Sequence, residues 1–366
     1  MNTKLKNFFF QLLRRGLWGN GDVTIEERFS LDEWIQLYEY SIKHTLEGII
    51  FDSFTVLKEQ QLPPTPLRLK WAVRVDSIER HNDRMNRVIS AMYKIFNDHG
   101  LKAILQKGQG VAQYYNNPNH RSSGDIDWYF ENEGYKKARL LLKNQKQPFK
   151  DSAGFSLNYD WEGVHIEYHK KIFDIQSPLK RKFLLRLLKE YENESDSLKI
   201  ENASIKLLPK ELQLLQVNSH ILKHLLSFGI GLRQLCDSAI LYHRFKGDID
   251  GRKLECMYKK LGILRWIHHL HAVLVRNIGL PNSSLPFPFP ENLDSEWMFN
   301  EIWYSGNFGF HDNRYKNGKK TAISAQPDGA RRLWLNFKLY FKYAPQEALF
   351  YPIVQAFSRF LGKDKH

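Results

Sequence analysis

Residues 125–127 read Asp-Ile-Asp, and the run continues Trp128-Tyr129-Phe130. Side chains alternate faces along a strand, so Ile126, Trp128 and Phe130 would enter a core while Asp125 and Asp127 share the other face. Two carboxylates this close repel, and both ionise comfortably only beside a cation. A divalent metal answers that need, because hard oxygen ligands on a rigid strand suit magnesium or manganese. The competing reading is two solvated positions on an edge strand, which the low strand preference of aspartate weakens. "VHIEYHK" at 164–170 repeats the pattern. Val164, Ile166 and Tyr168 can face a core, with His165, Glu167 and His169 opposite. Glu167 becomes a third carboxylate if this strand lies beside the first. Asp160 and Glu162 are rivals at the expected turn, and the two histidines read as polar strand neighbours.

Upstream, "QKGQG" at 106–110 closes a strand and opens a helix. Glycine lets backbone N–H groups approach a phosphate, and a helix N-terminus adds partial positive charge. Lys107 and Arg121 can add charge-assisted contacts. The spacing is not that of a Walker loop. Downstream, "NSHILKHLLSFGIGLRQLCDSAIL" at 218–241 places His220 and His224 on one helix face, and Arg233 and Asp237 on another. A zinc site needs a third protein ligand, and none is evident. A buried Arg233–Asp237 pair fixing the helix is the favoured reading; a role for His224 or Arg233 at a nucleotide is the alternative.

These groups need elements to carry them. Residues 1–98 read as helical, with a capping box at Ser30 and Glu33. "QLPPTP" breaks the chain, and Pro66 suits the first turn of a long helix ending near His99-Gly100. From Leu101 the period changes to strand, short helix, loop, strand, helix and hairpin, a small α+β unit over 99–176. Helices return over 177–280, interrupted by the short strand "ASIKLL". Residues 281–366 hold a proline-rich connection, a stretch rich in glycine, asparagine and aromatics over 300–330, and closing helices. The expected class is α+β, a small mixed sheet flanked by helical regions at both ends.

The chain has 366 residues, of which 42% are hydrophobic and 14% aromatic, enough for a sizeable core and unlike a disordered segment. Cys236 and Cys256 cannot make a disulfide framework, which fits a reducing compartment. The net charge of +14 favours an anionic partner such as nucleotide, nucleic acid, acidic polymer or lipid head groups, or is simply a basic surface. The apolar run near the N-terminus is short, and Gln11, Arg14 and Arg15 break it, unlike a signal peptide. A helix resting on another domain is expected there, with membrane-surface contact the weaker alternative. No stretch has the about 18 apolar residues that span a bilayer, so a soluble cytoplasmic protein is expected.

"LKAILQKGQGVAQYYNNPNHRSSGDIDWYF" at 101–130 resembles the signature of the uncharacterised bacterial nucleotidyltransferase family, within the DNA polymerase β-like superfamily. The Lys107-Gly108 turn, Tyr115-Asn116-Asn117-Pro118 and Arg121-Ser122-Ser123-Gly124-Asp125-Ile126-Asp127 match it. "IEYH" at 166–169 resembles the family's third-carboxylate strand, and the likeness runs over about 100–240. It implies a nucleotidyltransferase core in which Asp125, Asp127 and Glu167 are catalytic and hold two magnesium or manganese ions. It implies that Lys107, Gly108, Gln109, Arg121, Ser123 and Gly124 hold phosphates, with His169, His224, Arg233 and Asp237 accessory. The implied reaction moves an NMP group from an NTP to an acceptor (RNA, protein or small molecule) and releases pyrophosphate. Two positions depart from the pattern. Gln109 stands where the wider superfamily has serine, and Glu167 where aspartate is commoner. The first removes a phosphate contact and supports the alternative of a catalytically inactive nucleotide-binding or interaction protein of the same fold. A glycosyltransferase would need a βαβ domain ahead of Asp125, where the sequence is helical. An Asp-x-Asp-x-Thr phosphatase would need threonine where Tyr129 stands.

Overall fold

The computed structural model describes residues 1–21, 23–24, 28–152, 156–310, 312–315 and 329–363, with side chains up to 357. The start of the expected "GFSLNYD" strand and residues 316–328 of the glycine- and asparagine-rich stretch lie outside the described residues. The chain is α+β. Four helices open it: α1 (Thr3–Trp18), α2 (Leu31–Lys43), α3 (Glu47–Asp52) and α4 (Thr65–Asp98). Then come β1 (Ile104–Gln106), α5 (Gly108–Ala112), β2 (Asp125–Tyr129), α6 (Asn132–Asn144), β3 (Lys150–Ser152), β4 (Ser156–Trp161) and β5 (Val164–His169). After them stand α7 (Arg181–Glu190), β6 (Asp196–Ile200), β7 (Ala203–Leu207), α8 (Lys210–Leu226) and α9 (Leu232–Arg244). The last are α10 (Gly251–Leu261), α11 (Leu264–Val273), α12 (Glu296–Ser305), α13 (Gly329–Phe341) and α14 (Pro345–Lys363).

Local signals set several boundaries. Ser30 accepts from the Glu33 N–H at 3.3 Å while the Glu33 carboxylate accepts from the Ser30 N–H at 2.9 Å, so the expected capping box starts α2. Pro66 sits in the first turn of α4, where a missing N–H costs no hydrogen bond. β3 and β6, not read from the sequence, are short strands completed by their partners.

The five-stranded sheet has the order β1-β2-β5-β4-β3. β2 and β5 run parallel, and the other neighbours are antiparallel. A parallel pair needs a crossover, which α6 and the β3–β4 strands supply. The register sets Asp127 against Glu167 and Trp128 against Tyr168. The strand's apolar face behaves as its pattern requires. Ile126, Trp128, Phe130, Ile166 and Tyr168 are all buried, packed with Met92 and Phe96 of α4. Burying each such side chain contributes about 1.5–3 kcal/mol. Leu198, Ile200, Ile205 and Leu207 of the β6–β7 hairpin close the same core. The sheet core therefore draws on segments from either side of the boundaries expected at 98 and 176.

A second core joins the N-terminal and later helices. The α1 residues Phe8, Phe9, Leu12 and Leu13 are buried in it, and the Phe9 and Trp303 rings lie 5.6 Å apart. The helix rests on the rest of the protein, as its sequence suggested. Its apolar face is covered by the later helices. Among the described residues, no helix is long and apolar enough to cross a membrane.

Candidate active site

Alternation along β2 and parallel pairing with β5 bring Asp127 and Glu167 face to face, with Asp125 two residues earlier on the same side. Asp127 is 2% exposed, and both its oxygens are engaged. The Lys107 ammonium lies 2.6 Å from Oδ2, and His169 Nε2 lies 2.7 Å from Oδ1. The same His169 nitrogen is 3.3 Å from Glu167 Oε2. Ligand atoms of Asp127, Glu167 and His169 all lie within 4.8 Å of one another.

Charge is distributed unevenly across the pair. Burial pushes the Asp127 carboxyl up, but Lys107 and His169 outweigh it and hold it far below the usual range. Burial pushes the Glu167 carboxyl up, and the charge of Asp127 adds to that, leaving it raised. Burial pushes Lys107 down, but Asp127, Asp125 and Asp174 outweigh it, so the ammonium is held. Facing carboxylates with opposite shifts are the mark of two like charges sharing one cation.

Lys107 reaches Asp127 from a strained turn. Its φ is 31° with ψ −135°, and Gly108 follows at φ 47°. A non-glycine residue at positive φ is uncommon and is held by its surroundings. Gln216 accepts from the Lys107 N–H at 3.2 Å. Gly108 continues the left-handed backbone at no Cβ cost.

Gln109 is placed differently from the expectation. Its side chain turns away from the cavity toward α4, donating to Asn86 at 3.1 Å and accepting from the Ser123 hydroxyl at 2.7 Å. It ties the loop ahead of β2 to α4. Arg121, also expected at phosphates, is buried and donates through Nε and Nη2 to both Asp237 oxygens at 2.6 and 2.7 Å. Its Nη1 donates to Ser123 at 2.8 Å, and the Tyr115 hydroxyl donates to Asp237 at 2.7 Å. The expected Arg233–Asp237 pair is therefore corrected to Arg121–Asp237. A bidentate fork and a phenol saturate the carboxylate, while Arg233 donates to the Ser122 carbonyl instead.

Asp174, which the sequence did not single out, lines the same cavity. It accepts from His220 Nδ1 at 2.8 Å and from the Lys223 ammonium at 2.7 Å. Burial pushes its carboxyl up, but Lys223 and His220 outweigh that and hold it low. Asp174 follows β5 in an irregular segment, where no period or spacing marks it. His224 lies beside His220, ring centroids 4.3 Å apart. With Lys107, Ser123, Gly124 and Arg233 these groups line one cavity of about 340 Å³.

The donor chemistry fits a hard divalent ion. Asp125, Asp127 and Glu167 offer carboxylate oxygens on adjoining strands, and the buried Asp127 charge already requires the Lys107 cation beside it. Among the described residues, His220 and His224 belong to no group of three side chains placed to hold an ion, whereas Asp127, Glu167 and His169 form one.

A family model described as "Uncharacterised nucleotidyltransferase" matches residues 30–277, more than half of the chain. No curated protein matches. Among solved structures, an antigenic nucleotidyltransferase-like protein from Paracoccidioides brasiliensis is similar at 14% identity and a TM-score of 0.37, over 57% of this chain and 94% of that one.

Proposed function

Because the chain belongs to the uncharacterised nucleotidyltransferase family, we propose that it moves a nucleoside monophosphate from a nucleoside triphosphate to an acceptor and releases pyrophosphate. The observation that carries this reading is the facing pair Asp127 and Glu167, with Asp125 on the same face and Lys107 held against them. Asp125, Asp127 and Glu167 would hold magnesium or manganese, which when bound neutralises triphosphate charge and acidifies the attacking hydroxyl.

The chain's own groups orient and move the rest. An acceptor oxygen forms a bond to the α-phosphorus, the bond from that phosphorus to the bridging oxygen breaks, and pyrophosphate leaves with the electron pair. Glu167, whose carboxyl is raised by burial and by Asp127, takes the acceptor proton. His169 fixes the orientation of Asp127. Lys107 and Arg233 meet phosphate oxygens as cations. Arg121, Gln109 and Ser123 hold the loop that ends in Gly124 and Asp125. The acceptor is an RNA, a protein or a small molecule, and two free cysteines suit a reducing, cytoplasmic setting. The inactive alternative rests on the phosphate contact that Gln109 does not make; against it stands the complete cluster of Asp127, Glu167 and His169.

The test is calorimetric titration of each NTP, with and without magnesium, into the intact chain and an Asp125→Asn/Asp127→Asn variant. Metal-dependent binding that the variant loses is expected. Failure of the intact chain to bind any NTP would sink the reading.

A further inference from the structure

We infer, resting on the nucleotidyl-transfer reading, that Phe308 and His224 form the subsite for the nucleobase of the triphosphate. The cavity lining mixes two kinds of group. It holds Lys107 and the carboxylates of β2 and β5, and also Val217, Ile221 and His224 of α8 with Phe308 against His224. A nucleoside triphosphate also joins two kinds of group, anionic at one end and flat and aromatic at the other. Aromatic side chains supply stacking surfaces that every base can use.

His224 is suited to a base edge. The described residues offer its ring no hydrogen bond; its neighbours are the rings of His220 and of Phe308, the latter 5.0 Å away. Burial also keeps the imidazole neutral, its pKa well below the ordinary value. A neutral imidazole donates from one nitrogen and accepts at the other, the complement of a base edge.

Phe308 is placed by a built wall. It sits at φ 49° and ψ 23°, a left-handed conformation that a phenylalanine adopts only under constraint. The constraint is visible on its C-terminal side. A Cβ at Gly309 would lie 2.0 Å from the Phe228 carbonyl oxygen, so only glycine fits there. Asp312, a few residues on, is buried and pairs with Arg314 at 2.9 Å and Arg332 at 3.2 Å. Arg332 also donates to Ser305, the last residue of α12. Strain held this firmly on a cavity wall points to a function for the ring it presents. Phe308 also lies beyond residue 277, where the family match ends. The stacking surface would then come from a segment past the family match, while His224, which reads the base edge, lies within it.

The experiment is calorimetry on the full chain with ATP, GTP, CTP, UTP and inorganic tripolyphosphate, all with magnesium, repeated on Phe308→Ala, Phe308→Leu and His224→Ala. At least one NTP should bind about tenfold or more tighter than tripolyphosphate. Both Phe308 variants should bring that NTP toward tripolyphosphate and leave tripolyphosphate affinity unchanged, which also shows an intact fold. His224→Ala should reduce discrimination among the four bases. Four NTPs that bind no tighter than tripolyphosphate would overturn the subsite while leaving triphosphate binding standing. So would Phe308 variants with unchanged NTP affinity, since the ring would then only cover His224. Failure of the intact chain to bind either class would overturn the transferase reading as well.

Discussion

The Lys107 ammonium lies 2.6 Å from Asp127 Oδ2 at a carboxylate that is 2% exposed. Lys107 thus supplies a cation that the buried charge needs in the absence of any ion. Lys107→Met leaves Asp127 with His169 as its remaining partner. Breaking a buried pair from one side costs about 3 kcal/mol. The variant should lose about that much stability in chelator-treated buffer and recover more on magnesium addition than the intact protein gains. Paired denaturant titrations with chelator and with magnesium check both parts. Equal stability without metal would show that Lys107 is not the counter-charge.

Asp237 is the hub of the loop that leads into β2, accepting from Arg121 and from Tyr115. Asp237→Asn removes the charge that holds the Arg121 guanidinium and should cost about 3–5 kcal/mol. Tyr115→Phe removes one hydrogen bond to a charged group and should cost about 1.5–3 kcal/mol. Because the two share one carboxylate, the double variant should fall short of the sum. Urea unfolding of the singles and the double measures this coupling.

What could be read from the sequence was local. The period-two pattern around Asp125 and Asp127 fixed which side chains enter the core, and Glu167 followed from the same pattern in β5. Ser30 with Glu33 marked a helix start for the same reason, since a capping box spans one turn. The partner of Asp237 was not legible, because Arg121 is far away in sequence and only packing brings its fork to the carboxylate. Asp174 had no pattern around it. Phe308 lies in a glycine-rich stretch whose course depends on contacts with Phe228 and Arg332. Gln109 was placed in the correct turn, but its direction depends on Asn86 of α4, another element.

His120 carries a pH-dependent link between α3, α4 and the loop before β2. Its Nδ1 lies 2.6 Å from Asp52 and its Nε2 2.8 Å from Glu79. Burial pushes the imidazole pKa down, but hydrogen bonds and charges from Asp52 and Glu79 outweigh it and leave it raised. A raised folded value means the link contributes fully below the unfolded pKa of about 6.5. The contribution is lost as pH rises through the folded value. Thermal melts across neutral pH should show this decline in the intact protein, and His120→Gln should flatten it. An equal slope in both proteins would assign the dependence elsewhere.

Arg233 presents a different case, a half-buried cation with no carboxylate in direct contact among the described residues. Its Nε is buried with no partner among the described residues, and its Nη1 donates only to the Ser122 carbonyl. Burial pushes its pKa down and the neighbouring Arg121 adds to that, and the charges of Asp237 and Asp125 offset this only in part. A desolvated cation beside a second cation destabilises the chain that carries it, and a bound phosphate would offset that cost. Arg233→Met should therefore leave the protein as stable as the parent or more so. It should weaken tripolyphosphate and NTP binding by about tenfold or more, the loss of a charge-assisted contact. Melting and calorimetry on the same preparation separate the two effects. A variant that loses stability yet binds both ligands unchanged would make Arg233 a brace for Ser122 and remove it from the phosphate site.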